Sequence, residues 1–101
     1  MRVSKKLPAI QECIDKLEAA GLQVHMKYYM PDASNSTACT RVVISNHTYA
    51  IKNPRKEFEG LAICSPKDNF NREEGTKVAF NRALREVSAT IGRDAIKELL
   101  S

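Results

Sequence analysis

Histidine and cysteine are the residues in this chain best suited to act as nucleophiles, general bases or metal ligands. The chain contains two histidines and three cysteines, namely His25, His47, Cys13, Cys39 and Cys64. The cysteines lie far apart, and no pair has the spacing of a metal site or a redox motif. Cys64 could act as a nucleophile if the fold brought a histidine to it. Because Cys64 ends an apolar strand, we instead interpret the cysteines as buried thiols in a reducing cytosol.

Three carboxylates around the start of a predicted helix, Asp68, Glu73 and Glu74, are candidate metal ligands. At that position negative charge also interacts favourably with the helix macrodipole, which is the simpler interpretation. The sequence shows no phosphate-binding loop, dinucleotide fingerprint or zinc-ligand spacing. It therefore predicts no catalytic residue, no metal and no cofactor, and we expect a protein that is not an enzyme.

Basic and aromatic residues interleave in a stretch from Ala33 to Lys56 that contains no acidic residue. Arginines with aromatic neighbours are typical of nucleic-acid surfaces. The same residue types anchor protein interfaces, and basic residues also protect exposed strands from aggregation. All three interpretations stay open at this point. The candidate binding surface comprises Lys27, Tyr29, Arg41, His47, Tyr49, Lys52, Arg55 and Lys56.

The composition is that of an ordinary globular domain. The 101 residues are 43% hydrophobic and 28% charged, with a formal net charge of +4, which excludes a disordered or collagen-like chain. This length corresponds to one domain over residues 1–101. No apolar run approaches the ~18 residues of a membrane span, and the basic start Met1–Lys6 leads into no apolar signal core. We therefore expect a cytoplasmic protein without a membrane segment.

The elements that position these residues follow from apolar periodicity. A helix is predicted over about residues 7–20, with Pro8 in its first turn and Gly21 as its left-handed cap. Alternation then predicts strands over about 24–30 and 39–45. Asn46–His47 suits a tight hairpin turn, from which a short strand over 48–52 would return. The last strand, over 57–64, is apolar on both faces, which favours a well-covered position in the sheet.

Two further helices follow the strands. Asn71 is predicted to cap the first of them, with Glu74 as its capping-box partner. Gly75, Ala79 and Ala83 form a small-residue stripe that would let this helix approach the sheet closely. Gly92 interrupts the pattern, and residues 93–100 predict a short final helix.

The predicted fold is therefore α+β, with a three- or four-stranded antiparallel sheet and two helices on one face. The order of elements is α-β-β-β(-β)-α-α. The opposite face would present alternate strand residues to solvent or to a partner. These are His25, Lys27, Tyr29, Arg41 and Val43.

One stretch resembles a pattern found in many small proteins of bacteriophages and prophages. It runs from Glu59 to Phe70 with the sequence EGLAICSPKDNF, and continues with Gly75, Ala79, Arg82 and Ala83. In those proteins a strand ending in Ala-x-Cys-x-Pro leads through Asp-x-Phe to a helix with Gly, Ala and Arg-Ala at fixed offsets. The resemblance covers about a third of the chain and implies a phage accessory protein, without implying a particular activity.

The residues of this motif also have a structural interpretation. Pro66 and Asp68 would shape the turn that leaves the sheet. Phe70 would fill the core, and Gly75 would permit close packing. The motif is thus expected to be a signature of the fold rather than a set of chemical groups.

The order of elements is also similar to that of double-stranded RNA-binding domains, which grip phosphates with lysines at the start of their second helix. In this chain the corresponding turn carries Lys67, Arg72 and Lys77 together with Glu73 and Glu74. The two glutamates would repel phosphate, whereas the three basic residues would attract it.

The function predicted from the sequence is binding without catalysis. We expect an accessory protein of the phage type that modulates or inhibits a host protein or a defence system, acting in the host cell cytoplasm. The alternative is a nucleic-acid-binding module, similar to double-stranded RNA-binding domains, that uses the basic surface. A homodimer in which a second copy covers the open face of the sheet also stays open.

Overall fold

A computed structural model describes residues 1–30, 38–64 and 71–101, except for the side chain of Cys64. Over these residues the elements are α1 (Pro8–Ala19), β1 (Gln23–Tyr29), β2 (Ala38–Ser45), β3 (Glu57–Cys64), α2 (Arg72–Ile91) and α3 (Arg93–Leu99). This order confirms the predicted α+β class. The turn predicted around residues 31–36, and the roles predicted for Pro66, Asp68 and Phe70, lie outside the described residues.

The strands form an antiparallel sheet in the order β1-β2-β3, so that β2 is central. The prediction that β3 occupies a well-covered position is wrong, because β3 lies at an edge of the sheet. Its inner face packs on α2, whereas Leu61 and Ile63 on its outer face are exposed. Apolar residues on both faces of a strand therefore did not signify burial on both faces.

The core lies between the inner face of the sheet and the helices. Thr40, Val42 and Ile44 of β2 are buried there, as the alternation predicted, and Ile14 and Leu17 of α1 pack into the same cluster. Full burial of an aliphatic side chain of this size stabilises the folded state by about 1.5–3 kcal/mol. These contacts place the helices on one side of the sheet. The final helix, α3, joins the cluster through the partly buried side chains of Ile96, Leu99 and Leu100.

The end of α1 is set by Gly21, as predicted. Gly21 has a φ of +100°, a conformation that side-chain-bearing residues rarely adopt. Its N–H donates to the Glu18 carbonyl at 3.0 Å, and the Leu22 N–H donates to the Leu17 carbonyl at 3.0 Å. This pair of bonds is a Schellman motif. It satisfies the last carbonyls of α1 and turns the chain into β1.

Helix α2 begins at the predicted cap and lies unusually close to β3. The Asn71 side-chain oxygen accepts a hydrogen bond from the Glu74 N–H at 3.0 Å. Ala79 and Ala83 are fully buried and lie directly over Gly60. A Cβ atom built on Gly60 would lie 2.5 Å from the Ala83 nitrogen and closer still to the Ala79 carbonyl oxygen. The small-residue stripe therefore does permit the predicted close approach.

Residues 46–56 connect β2 to β3 and contain no strand. The predicted short strand over 48–52 is therefore wrong. A tight turn does follow Asn46, with the Tyr49 N–H donating to the Asn46 carbonyl at 3.2 Å, but its central residues are His47 and Thr48 and it leads into no returning strand. A hydrogen bond of 2.7 Å from the Asn46 N–H to the Lys56 carbonyl joins the two ends of this connection. Tyr49, which ends the tight turn, has a left-handed backbone conformation with φ of 55°.

Substitution of Gly60 by alanine tests the close approach of α2 to β3. Because the new methyl group would meet helix backbone that has no rotamer to change, we expect a loss of about 3 kcal/mol in the free energy of unfolding. Chemical denaturation measures this loss. The matched control is Ala62→Gly on the same face of β3, for which we expect about 1 kcal/mol. Equal costs for the two variants would contradict the proposed contact.

Candidate binding surface

The structure places the eight residues of the candidate binding surface in two groups. Lys27, Tyr29 and Arg41 lie on the outer face of the sheet and are called the sheet-face group. The loop group lies in or beside the connection from β2 to β3, beyond Ser45. Ser45 lies four positions after Arg41, which corresponds to about 13 Å along a strand. The loop group consists of His47, Tyr49, Lys52, Arg55 and Lys56.

Strand pairing brings the sheet-face group together. Lys27 is opposite Arg41 in the register of β1 and β2, and the Lys27 Nζ lies 5.6 Å from the centre of the Tyr29 ring. The Arg41 guanidinium donates twice to one oxygen of Glu59 on β3, at 2.9 and 2.7 Å. This hydrogen bond with Glu59 raises the pKa of Arg41, and Tyr29 adds a smaller effect. The charge of Arg41 is thus already matched within the chain.

Apolar side chains that the sequence analysis did not assign to the surface extend the same face. Leu61 is opposite Arg41, and Ile63 is opposite Cys39, which in turn is opposite Tyr29. Tyr29 is 41% exposed, Leu61 38% and Ile63 67%. The signal that could have found them was the apolar character of both faces of β3. That pattern was interpreted as burial of both faces, whereas the residues of the outer face form an exposed apolar surface.

No described element covers this outer face. Helices α1 and α2 both pack on the opposite side of the sheet, through the buried residues of the core. The outer face therefore combines exposed aromatic and aliphatic groups with an arginine–glutamate pair. Tyr and Arg surrounded by apolar contacts are the residues most enriched at the energetic centres of protein interfaces.

The loop group is held by Asn46, whose side chain is fully buried. Its amide nitrogen donates to the carbonyls of Ile51 at 3.0 Å and Arg55 at 3.1 Å. Its side-chain oxygen accepts the Ile51 N–H at 3.0 Å. These bonds replace the strand pairing that the loop lacks. They hold Tyr49 on the surface, where its side chain is 56% exposed.

The charges of the loop group are only partly available to a ligand. Arg55 stacks on Phe58, with its guanidinium carbon 4.7 Å from the ring centre, and forms an ion pair with Glu86 of α2 at 3.3 Å. The His47 Nε2 lies 3.7 Å from a Glu57 oxygen. Lys52 and Lys56 are exposed. Both arginines of the predicted surface, Arg41 and Arg55, are therefore paired with glutamates.

Basic residues at the start of α2 also have partners within the chain. The Arg72 guanidinium stacks on Tyr28 of β1, with 4.7 Å from its carbon to the ring centre. Lys77 lies 3.8 Å from a Glu74 oxygen, and Glu73 accepts a hydrogen bond from the Ser4 hydroxyl at 3.2 Å. Arg72 and Lys77 thus contact aromatic or acidic neighbours, and Lys67 lies outside the described residues. Positive charge directed at a phosphate is correspondingly reduced.

The groups with catalytic potential are dispersed. Cys39 is opposite Tyr29, and His25 lies four residues further along β1, which corresponds to about 13 Å. Cys13 is a half-buried free thiol, and burial raises its pKa, which disfavours the thiolate. Among the residues with described positions, no cluster of three or more His, Cys, Asp or Glu could hold a metal ion. Asp68 and the Cys64 side chain lie outside that part of the chain.

None of the described helices has the length and apolar character needed to cross a membrane.

Comparison with known proteins adds no relative to this description. No protein-family model matches the chain, and no match was found among curated proteins or solved structures.

Replacement of Asn46 by alanine tests the organisation of the loop group. Because the Ile51 N–H and the carbonyls of Ile51 and Arg55 would lose their partners, we expect a loss of about 3 kcal/mol in the free energy of unfolding. Thermal or urea unfolding measures the loss. Asn53→Ala in the same loop is the control, since its side chain accepts one exposed hydrogen bond from Arg55, and about 1 kcal/mol or less is expected. A similar cost for both variants would show that Asn46 does not organise the loop.

Proposed function

We propose that this chain is a non-catalytic binding protein that docks the outer face of its sheet on another protein. The observation that carries the proposal is the exposure of Tyr29, Leu61 and Ile63 on a face that no described element covers. Burial of such side chains is the main favourable contribution to most protein association. The Arg41–Glu59 pair beside them would supply directional hydrogen bonds at the margin of the contact.

A protein partner is favoured over a nucleic acid by the chemistry of this face. Leu61 and Ile63 offer nothing to a phosphate group, and Glu57 on the same strand face would repel it. Arg41, the central cation of the face, is already engaged by Glu59. Exposed aliphatic side chains beside an aromatic ring are instead matched by the apolar surface of a folded protein.

The resemblance of residues 59–83 to phage and prophage proteins supports a more specific proposal. The partner would be a host protein, including a component of a defence system, and binding would modulate or inhibit it in the host cytoplasm. Inhibition of this kind requires only that a functional surface be covered. It therefore agrees with a chain whose candidate chemical groups are dispersed.

Ile63→Glu is the direct test. Partner proteins captured from a bacterial host lysate would be identified and purified, and their affinity for the wild type and the variant measured by calorimetry. We expect one protein to bind stoichiometrically and Ile63→Glu to weaken it at least about tenfold, because a carboxylate would be buried against apolar surface. The fold should be retained, since Ile63 is 67% exposed. The control is Ala9→Glu, an exposed position of α1 on the opposite layer.

A nucleic-acid titration tests the alternative function, that of a nucleic-acid-binding module. Fluorescence anisotropy with labelled double-stranded RNA, double-stranded DNA and single-stranded DNA would be recorded over a range of salt concentrations. We expect no binding at physiological salt. Sub-micromolar binding with a steep salt dependence, weakened by Lys52→Ala and Lys56→Ala and unaffected by Ile63→Glu, would replace the protein-docking proposal with a nucleic-acid-binding module.

A further inference from the structure

Among the described strands, β3 pairs only with β2. Its other edge, called the free edge, carries backbone groups that could pair with another strand. In an antiparallel sheet, the N–H and C=O of one residue point to the same side, and successive residues alternate between sides. The Leu61 carbonyl oxygen accepts a hydrogen bond from the Arg82 side chain of α2 and therefore points away from β2. By alternation, the backbone groups of Glu59, Leu61 and Ile63 point to the free edge.

This edge forms one wall of an open groove. Helix α2 forms the other wall, and the groove has a volume of about 560 Å³. Gly60 lies at its base, where α2 approaches the strand closely, and Ala89 adds only a methyl group to the helix wall. The groove is thus shallow, and an extended backbone that lies beside β3 would replace the Arg82 side chain as the partner of the Leu61 carbonyl.

The groove has a net positive charge, because its two glutamates are neutralised by ion pairs within the chain. Glu59 is bound by Arg41, and Glu86 is paired with Arg55. Arg82 and Arg85 line the same groove and are exposed, and the bond from Arg82 to a neutral carbonyl leaves its charge in place. A guanidinium fork of this kind matches a carboxylate.

We propose that the β3 edge accepts an extended acidic segment of a partner protein, which pairs with Glu59, Leu61 and Ile63 as a fourth strand and directs alternate carboxylates at Arg82 and Arg85. The residues between those carboxylates point to the outer face of the sheet, beside the exposed side chains of Leu61 and Ile63, and are apolar. Addition of a strand to a sheet edge is a recurrent mode of peptide recognition, in which backbone bonds supply affinity and side chains supply specificity. The inference rests on the proposed protein-binding function and adds the partner's chemistry to it.

A second open groove lies beside β1 at the opposite edge of the sheet. It has a volume of about 460 Å³ and is lined by Met1, Glu18 and residues 23–26, and the ammonium group of Met1 is held by Glu18 at 2.6 Å. This groove has no arginine among its lining residues, so the guanidinium groups that would bind carboxylates are found beside β3.

A second copy of the chain fits the β3 edge poorly. Two-fold pairing of β3 with itself would bring the two α2 helices alongside each other. Arg82 and Arg85 of both copies would then meet at one seam, and like charges in contact oppose association. An acidic strand from another protein neutralises the same arginines.

The test uses a fluorescein-labelled peptide, acetyl-Gly-Val-Glu-Val-Glu-Val-Gly-amide, and the full chain. We expect saturable binding by anisotropy, weakened at least about tenfold by Arg85→Glu and further by Arg82→Glu. The lysine analogue of the peptide should not bind. Arg93→Glu, an exposed position on α3, is the matched control and should leave affinity unchanged. Circular dichroism would verify the fold of each variant, and Arg85→Glu remains informative if Arg82→Glu disturbs the groove.

Amide hydrogen exchange reports the pairing itself. Peptide binding should slow exchange at Glu59, Leu61 and Ile63, whose N–H groups point to the free edge, and a peptide N-methylated on its pairing side should have no effect. Binding without protection of these amides, or binding unaffected by both arginine variants, would overturn the inference. Protection that appears without peptide and rises with protein concentration would do the same, because it would make a second copy the occupant.

The two proposals can fail separately. If Ile63→Glu abolishes binding of the host partner while Arg82→Glu and Arg85→Glu leave it unchanged, the sheet-face function stands and strand addition is refuted. If no partner protein binds the wild type, the proposed function itself fails, whatever the peptide does.

Discussion

The contact between α2 and Gly60 is the constraint on which the rest of the arrangement depends. Because Gly60 has no side chain, the backbone of Ala79 and Ala83 can approach the strand to a distance that any Cβ atom would prevent. This contact fixes α2 over β3 and buries Phe58 and Phe80 in the core. As a result, the helices cover the inner face of the sheet. The exposure of the outer face and the position of Arg82 and Arg85 at the free edge both follow from it.

Local sequence signals were sufficient where a structure depends on neighbouring residues. The helix spacing ending at Gly21 predicted α1 because a Schellman motif involves only the last turn and the next two residues. Alternation predicted the inner face of β2 for the same reason. The connection between β2 and β3 could not be predicted in this way. Its conformation depends on Asn46 reaching carbonyls up to nine residues away, and no local pattern records that closure.

The candidate site was predicted in part, and its limits have a physical cause. Alternation correctly placed Lys27, Tyr29 and Arg41 on the outer face. It could not reveal that β3 is an edge strand, because position in a sheet depends on pairing between strands and not on the composition of one strand. The apolar pattern of Leu61 and Ile63 was therefore interpreted as burial. At an edge both residues are exposed, and Ile63 is the most exposed large apolar side chain of the described residues.

Pairing of charges within the fold changes what a basic composition means. The chain has a net charge of +4, yet Arg41 and Arg55, two prominent cations of the candidate surface, are held by Glu59 and Glu86. These pairs remove negative charge from the groove beside β3 as effectively as they remove positive charge from the candidate surface. Arg82 and Arg85 consequently face the groove without a nearby unpaired carboxylate among its described lining residues. Positive potential is thus concentrated at a strand edge whose outward backbone groups pair with no described strand. A partner that supplies both carboxylates and an extended backbone would bind the arginines and the strand edge together.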